Sequence, residues 1–318
     1  MRLLVLSFIF LFGLGVGLFT SQFFLKPPEF NSKQVRQGGY RYINPLLECE
    51  VGFNPQNSFG ELRVTLEDVI DNLKSRGTIE EASIYLRDLN NGPYIGINDE
   101  EEFSPASLLK LPIMIAYYKQ AERQPGYLNT KIKLNVEKDY NSWESIKSSK
   151  YLKIGEEYTY DQYIDAMMLY SDNNAMAILS QQMSLALQDE VYKALGVTIP
   201  GSQGINDFMS VRQYASFFRI LYNSSYLEPE SSEKILQTLT TIEFKDGIRA
   251  GIPQGIAVSH KFGERVVNER IQLHDCGIVY LEDRPFLLCI MTRGDNLDEL
   301  TGVIRDISAI IYKDISTK

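Results

Sequence analysis

Ser107 and Lys110 have the residue types and the spacing that serine-based acyl transfer needs. They stand three positions apart at the start of a helical pattern, so the hydroxyl and the amine share one face of the helix. A serine is a poor nucleophile without a neighbouring base, and a desolvated lysine with a depressed pKa can be that base. Because S-x-x-K arises often by chance, this pair alone indicates only a surface helix pair.

Ser171, Asp172 and Asn173 form a second group, directly after an apolar run that closes a predicted helix. A serine and an asparagine at such a position can relay a proton and hold a substrate amide. The same residue types favour helix caps, so the group alone indicates the end of one helix and the cap of the next.

Lys261, Phe262 and Gly263 form the third group, at the end of a predicted strand. Lys261 would supply positive charge facing a cleft, and Gly263 would let a ligand approach the strand closely. Taken alone, the group indicates a solvated lysine beside a strand-end glycine.

The elements that must position these groups follow from hydrophobic periodicity. The helices are expected at 62–77, 108–123, 159–169, from 175, 210–222, 232–239 and 300–311, and the strands at 82–86, 94–97, 256–261, 272–281 and 286–292. A helical block between two parts of one sheet predicts an α/β (α+β) fold with a cleft between two lobes. We expect an antiparallel five-stranded sheet flanked by helices, with a helical lobe inserted between strands 2 and 3.

The first part of the chain, Leu3 to Leu25, is an apolar run with no ionisable side chain. At about 1.5 Å per residue, such a helix crosses a hydrocarbon core of roughly 30 Å. Residues 1–26 are therefore predicted to be a transmembrane signal-anchor in the cell membrane, crossing it once. Residues 27–60 are expected to be a tether and irregular lead-in, and residues 61–318 an extracytoplasmic domain. A cleaved signal peptide is the alternative, although no A-x-A-like site follows the run.

The composition excludes several classes of protein. With 44% hydrophobic and 23% charged residues, the 318-residue chain is neither disordered nor a multi-span membrane protein. The net charge of −9 argues against nucleic acid as a partner, since phosphate contacts need concentrated Lys and Arg. Two histidines nearly exclude a His-rich metal site, and three cysteines cannot form a disulfide framework. We expect no metal and no cofactor.

The three groups together, in this order, resemble the S-x-x-K, S-D-N and K-T-G set of class A β-lactamases and penicillin-binding proteins. The stretch 152–159 is also similar to the family's approach to the S-D-N helix, and 274–280 to the sheet strand after K-T-G. The resemblance covers nearly the whole of the predicted domain. It implies an enzyme whose partner is a β-lactam or a small peptidoglycan-derived substrate. We also expect a monomer.

The resemblance also implies catalytic roles. Ser107 corresponds to the acylating nucleophile, Lys110 to the general base or proton relay, and Ser171 to the hydroxyl that passes a proton to the leaving nitrogen. The backbone N–H groups of Ser107 and Glu264 would form the oxyanion hole.

The substrate-binding positions follow from the same resemblance. Asn173 would bind the acyl-side amide of the substrate. Lys261 would attract the substrate carboxylate and help to keep Lys110 neutral. Gly263 and Glu264 would border the bound substrate.

Two departures from the family pattern affect turnover. Class A β-lactamases carry a loop glutamate in an E-x-x-L-N context that activates water for deacylation. Here Asp189, Glu190 and Asp207 lie in the corresponding interval without that context, so slow deacylation is expected. Phe262 also replaces the family's Thr or Ser, and Glu264 adds a negative charge unless Arg265 pairs with it.

His274 and Cys276 invite a metal or redox interpretation, but two ligands on one strand are insufficient, and a buried pair is favoured. If the last hairpin turns at Glu282 and Asp283, Cys276 lies opposite Cys289. A disulfide is then possible outside the cytoplasm, although the register could slip by one residue. Cys49 would remain unpaired.

Three functions remain open from the sequence. The first is a membrane-anchored serine hydrolase of class A β-lactamase type, which cleaves β-lactam bonds through an acyl-Ser107 intermediate and deacylates weakly. The second is a penicillin-binding D,D-peptidase or transpeptidase acting on peptidoglycan stem peptides. The third is a non-catalytic relative that binds the cell wall, against which the intact set of polar residues argues.

Overall fold

The computed structural model describes residues 34–49, 59–90, 92–196 and 206–317. The apolar run 3–25, predicted to be a membrane anchor, lies outside these ranges. Among the residues that are described, no helix is long and apolar enough to cross a membrane.

The helices and strands occur in the predicted order. The helices are α1 (Gly60–Ser75), α2 (Lys110–Arg123), α3 (Tyr160–Leu169), α4 (Asn173–Gln182), α5 (Leu185–Ala194), α6 (Val211–Tyr222), α7 (Pro229–Leu239) and α8 (Leu297–Ser316). The strands are β1 (Gln34–Arg36), β2 (Leu46–Cys49), β3 (Glu81–Asp88), β4 (Tyr94–Ile97), β5 (Glu102–Phe103), β6 (Lys131–Lys133), β7 (Glu157–Thr159), β8 (Met209–Ser210), β9 (Val258–Val267), β10 (Arg270–Val279) and β11 (Phe286–Gly294).

The main sheet has five antiparallel strands in the order β4-β3-β11-β10-β9. The helical lobe is inserted in the chain between β4 and β9, which confirms the predicted fold. Three smaller two-stranded pairs, β1-β2, β5-β8 and β6-β7, lie outside this sheet.

Local sequence signals explain where two helices of the inserted lobe begin. The Thr159 hydroxyl accepts the N–H of Gln162 at 3.2 Å, while the Gln162 side chain accepts the N–H of Thr159 at 2.9 Å. Ser210 and Gln213 repeat this reciprocal arrangement at the start of α6. Such capping boxes satisfy N–H groups that have no partner within the helix.

The sheet separates two hydrophobic cores. Along β11, Leu288 and Ile290 belong to the core shared with α1 and α8, whereas Leu287 and Met291 belong to the core of the helical lobe. Strand β3 was expected to be half-buried, but most of it is buried on both faces. The difference arises because helices cover both sides of the sheet, so no face is left to solvent.

Residues 34–49, expected to be an irregular lead-in, instead contain the antiparallel β1-β2 pair. The connection between these strands is held by Glu233 of α7, whose carboxylate accepts the backbone N–H groups of Arg41, Tyr42 and Ile43 at 2.9–3.0 Å. These bonds tie the segment to the domain, which composition alone did not indicate.

The ladder between β10 and β11 places Cys276 opposite Cys289, and the two form a disulfide. The register is the predicted one, and the chain turns at Glu282 and Asp283 as expected, because the Arg284 N–H donates to the Leu281 carbonyl at 3.1 Å. Ladder pairing stops before this turn, at Val279 and Phe286. His274 and Cys276 are fully buried, as expected for a structural pair.

Candidate active site

Ser107 lies in a 3-10 helix, Ala106–Leu109, immediately before α2 rather than within its first turn. Side chains from β10 hold the chain just upstream. The Ser104 N–H donates to Gln272 Oε1 at 2.8 Å, and the Ser104 carbonyl accepts from His274 Nε2 at 2.9 Å. The sheet therefore fixes the segment that carries the proposed nucleophile.

Lys110 is completely buried and connects to Ser107 through Ser171. Its Nζ donates to the Ser171 hydroxyl at 2.8 Å, and that hydroxyl donates to Ser107 Oγ at 3.3 Å. Burial lowers the pKa of Lys110 to about 7, although the negative charges of Glu144 and Asp172 oppose the shift. A lysine with this pKa is substantially neutral near pH 7 and can accept a proton.

The S-D-N turn, Ser171–Asn173, both caps a helix and lines the cavity. Asp172 is buried and caps α4, and its Oδ1 accepts the N–H groups of Asn174 and Ala175 at 2.9 and 3.0 Å. The Asp172 cap anchors the turn, which leaves the side chains on either side of it, Ser171 and Asn173, to line a cavity.

Lys261 is also completely buried, and its Nζ reaches the Ser171 hydroxyl at 3.5 Å and the Phe262 carbonyl at 2.8 Å. Burial, followed by the charge of Lys110, lowers the pKa of Lys261 well below its ordinary value. The Phe262 ring stacks on Phe244 with the ring centres 4.2 Å apart. Phe262 stands at the position where the K-T-G pattern has a threonine.

Gly263 lies inside β9 and not at a strand end, because β9 pairs with β10 as far as Val267. A Cβ atom on Gly263 would stand 3.0 Å from the Pro105 carbonyl oxygen and 3.0 Å from Leu108 Cγ. The glycine therefore permits close contact between β9 and the 3-10 helix. This contact brings the third sequence group against the first.

Glu264 and Arg265 do not pair with each other. The Glu264 carboxylate accepts the backbone N–H groups of Ser145 and Ile146 at 3.2 and 3.3 Å. Arg265 Nη1 donates to the Ser104 hydroxyl at 3.4 Å. The negative charge of Glu264 is thus engaged by the loop that precedes the second sequence group.

A cavity of about 510 Å³ opens between the two lobes. It is lined by Pro105, Ala106, Ser107, Leu109, Glu144, Ile146, Ser171, Asn173, Met176, Phe208, Phe262, Glu264, Arg265 and Val266. Lys110 and Lys261 contact Ser171 from the protein interior. The structure thus brings the predicted site residues together around one cleft.

Asp189, Glu190 and Asp207 lie in the chain interval where the family carries its loop glutamate. They do not line this cavity. Glu190 lies on α5 beside Asp189 and forms an ion pair with Arg123 on the protein surface. Asp207 pairs with Arg293 at 3.1 Å and lines a different cavity.

The cavity contains instead a carboxylate that sequence reasoning missed. Glu144 Oε1 lies 3.9 Å from Lys110 Nζ. The residue precedes the S-D-N group in the chain, whereas the family's glutamate follows it. No motif marks Glu144 in the sequence, since a lone glutamate in a polar loop resembles any solvated one.

Comparison with known proteins agrees with this geometry. The model of the Beta-lactamase enzyme family matches residues 63–315. No curated protein matches the chain.

Among solved structures, PBP-A is similar with a TM-score of 0.69 and 18% identity, over 84% of this chain and 100% of that one. A variant of PBP-A, solved as an acyl-enzyme complex with penicillin G, is equally similar. The class A β-lactamase from Mycobacterium abscessus has a TM-score of 0.64 and 19% identity, over 78% of this chain and 98% of that one. At these identities the likeness establishes the fold, and the family match over most of the chain establishes membership. The chain belongs to the β-lactamase enzyme family.

Proposed function

We propose that this protein is a serine hydrolase that opens β-lactam rings through an acyl-Ser107 intermediate. The proposal rests on one observation: Ser107 Oγ, Ser171 Oγ and Lys110 Nζ form a continuous chain of hydrogen bonds at the cavity, with separations of 3.3 and 2.8 Å. A nucleophile, a proton relay and a lysine with a depressed pKa are the parts that serine acylation needs.

The reaction follows from these contacts. Neutral Lys110 accepts the Ser107 proton through the Ser171 hydroxyl, and Ser107 Oγ attacks the carbonyl carbon of the substrate. The backbone N–H groups of Ser107 and Glu264 stabilise the resulting oxyanion. When the carbon–nitrogen bond breaks, Ser171 delivers the proton from Lys110 to the leaving nitrogen, and the acyl group remains as an ester on Ser107.

The cavity wall favours a substrate with an apolar acyl group and one anionic group. Ile146, Met176 and Phe208 supply apolar surface, and Asn173 offers an amide to the acyl-side chain. Lys261 is buried with a lowered pKa, so the exposed Arg265 is the cation better placed to attract a carboxylate. Phe262 removes a hydroxyl that would otherwise hold that carboxylate.

A D,D-peptidase or transpeptidase acting on peptidoglycan stem peptides is the second candidate. The missing E-x-x-L-N motif favours it, because an enzyme without a deacylation base keeps its acyl group until an acceptor arrives. The third candidate, a non-catalytic wall-binding relative, has no use for a buried Lys110 beside Ser171.

We also propose that residues 1–26 anchor the protein in the cell membrane and that the domain 61–318 acts on the extracytoplasmic side. The apolar run 3–25 supports the anchor, and part of the segment 27–60 would extend the distance between membrane and domain. Cell wall and antibiotics are both accessible on that side.

Intact-mass analysis tests the proposed function. We expect the full-length chain to gain the mass of penicillin G and the Ser107→Ala variant to gain none. An adduct that forms and then disappears with release of hydrolysed penicillin supports the β-lactamase, whereas a persistent adduct supports the peptidase. If the wild-type chain forms no adduct with penicillin G or with a stem-peptide ester, acyl transfer at Ser107 is refuted.

A further inference from the structure

Glu144 is placed at the cavity by a loop of the inserted helical lobe. It directly follows the 3-10 helix Tyr140–Trp143, and its side chain is only 12% exposed. One carboxylate oxygen lies 3.9 Å from Lys110 Nζ, and the other accepts the Tyr151 hydroxyl at 3.1 Å. The residue lines the same cavity as Ser107.

The Glu144 loop is held on both sides. Strand β9 holds it through Glu264, whose carboxylate accepts the N–H groups of the next two residues, Ser145 and Ile146. The S-D-N turn holds it through Asn141, which donates to Asp172 at 3.0 Å and accepts the Asn173 N–H at 2.7 Å. A carboxylate supported in this way is positioned before substrate arrives, which is the requirement for general-base catalysis.

The other carboxylates near the cavity are already engaged. Asp172 accepts four hydrogen bonds, from Asn141, Leu152, Asn174 and Ala175. Glu264 is bound to the loop backbone, as described above. Among the described residues that line the cavity, Glu144 is therefore the carboxylate that has one oxygen facing Lys110 Nζ instead of backbone N–H groups.

Burial makes Glu144 a carboxylate that binds a proton more readily than an exposed one. Burial raises its pKa, and Asp172 adds to the rise, whereas Lys110 of α2, Lys261 of β9 and the Tyr151 hydroxyl oppose it. Since the pKa of Lys110 is lowered to about 7, the two groups approach each other in proton affinity. A proton bound by one group changes the proton affinity of the other.

We propose that Glu144 is the general base that activates water for hydrolysis of the acyl-Ser107 ester, in place of the missing family glutamate. This inference rests on the proposed acyl-enzyme. The Glu144 carboxylate takes a proton from water, and the water oxygen bonds to the ester carbonyl carbon. The bond from that carbon to Ser107 Oγ then breaks, Ser107 Oγ takes a proton from Ser171, and the proton on Glu144 returns to Ser171 through Lys110. The products are free Ser107 and a carboxylic acid.

The test follows adduct formation and decay separately, by quenched intact-mass analysis of the full-length chain with penicillin G. We expect Glu144→Gln to form the Ser107 adduct at a rate within about threefold of wild type. Its adduct should decay about 100-fold or more slowly, since a general base contributes about 10²–10⁴-fold. Glu144→Asp should recover part of the decay rate. Glu190→Gln, a matched change on the surface ion pair with Arg123, should alter neither step.

The pH profile gives a readout that a structural role would not move. Wild-type adduct decay should rise with pH as Glu144 loses its proton, and Glu144→Gln should lack that rise. Equal loss of both steps, or unchanged decay in Glu144→Gln, would overturn the inference, as would a wild-type adduct that never decays. An absence of any wild-type adduct would instead refute the proposed function, and this inference with it.

Discussion

Lys110 donates to two oxygens of Ser171 at once, the hydroxyl at 2.8 Å and the backbone carbonyl. Ser171 has a φ of 55°, in the left-handed region that a non-glycine residue seldom adopts. This backbone conformation turns the carbonyl and the hydroxyl of one residue toward the same amine. The buried lysine is thereby held against Ser171, the proposed proton relay, although the two residues are 61 positions apart in the chain.

The buried Lys110 predicts how acylation depends on pH. Because its pKa is lowered to about 7 and only the neutral amine accepts a proton, the acylation rate should rise with pH through about 7 and then level off. Rates from quenched intact-mass measurements between pH 5.5 and 9 would report this. Lys110→Met should abolish acylation, whereas Lys153→Met, at a lysine that is 80% exposed, should have no effect. A rate that does not change between pH 6 and 8 would contradict this assignment of the base.

The close contact at Gly263 predicts that adding one methyl group slows acylation and lowers the free energy of unfolding. In Gly263→Ala, the new Cβ would press on the Pro105 carbonyl and on Leu108, so the 3-10 helix carrying Ser107 must shift by a few tenths of an ångström. We expect acylation to slow by about tenfold and the free energy of unfolding to fall by about 1–3 kcal/mol. Gly302→Ala on α8 is the matched control. The new Cβ would lie 3.7 Å from Arg305 Nη2, an ordinary contact, and alanine favours a helix. Equal acylation rates in the two variants would refute the argument.

The stack of Phe262 on Phe244 predicts that Phe262→Thr lowers the free energy of unfolding but raises kcat/KM for penicillin G. Phe262→Thr restores the family's hydroxyl but removes the stack on Phe244, which should lower the free energy of unfolding by about 3 kcal/mol. The new hydroxyl should raise kcat/KM for penicillin G by about tenfold, since a hydrogen bond to a charged group contributes about 1.5–3 kcal/mol. Phe244→Leu removes the same stack without adding a hydroxyl. If Phe262→Thr and Phe244→Leu change kcat/KM for penicillin G by the same factor, the new hydroxyl does not contribute to substrate binding.

The disulfide predicts a redox-dependent stability. It joins Cys276 and Cys289 across two central strands and closes a short loop. Replacing both cysteines with alanine should lower the free energy of unfolding by about 3 kcal/mol, because the unfolded chain regains freedom. Denaturant unfolding with and without dithiothreitol measures the effect. Reductant should destabilise the wild-type chain and the Cys49→Ala variant but not the double variant, and an unfolding midpoint indifferent to reductant would contradict the pairing.

The sequence alone was enough to predict the order of the main elements and the three groups of candidate site residues. Both depend on short-range features: hydrophobic periods, the capping pair of Thr159 and Gln162, and motifs a few residues long. The opposition of Cys276 and Cys289 was expected only on the condition that the hairpin turns at Glu282 and Asp283, and the structure settled the register. The serine and lysine that we propose as nucleophile and base, and the S-D-N turn, could therefore be proposed without coordinates.

Which charges meet at the candidate site depends instead on tertiary packing. Glu144 faces Lys110 because its loop is held by Glu264, whose bond to Ser145 spans 119 positions in the chain. The lowered pKa of Lys110 follows mainly from complete burial, which depends on how the two lobes close over it. Local pattern carries no information about such long-range contacts. Ser107 could thus be proposed as the nucleophile from neighbouring residues, whereas the partner that we propose for hydrolysis became visible only when distant segments packed together.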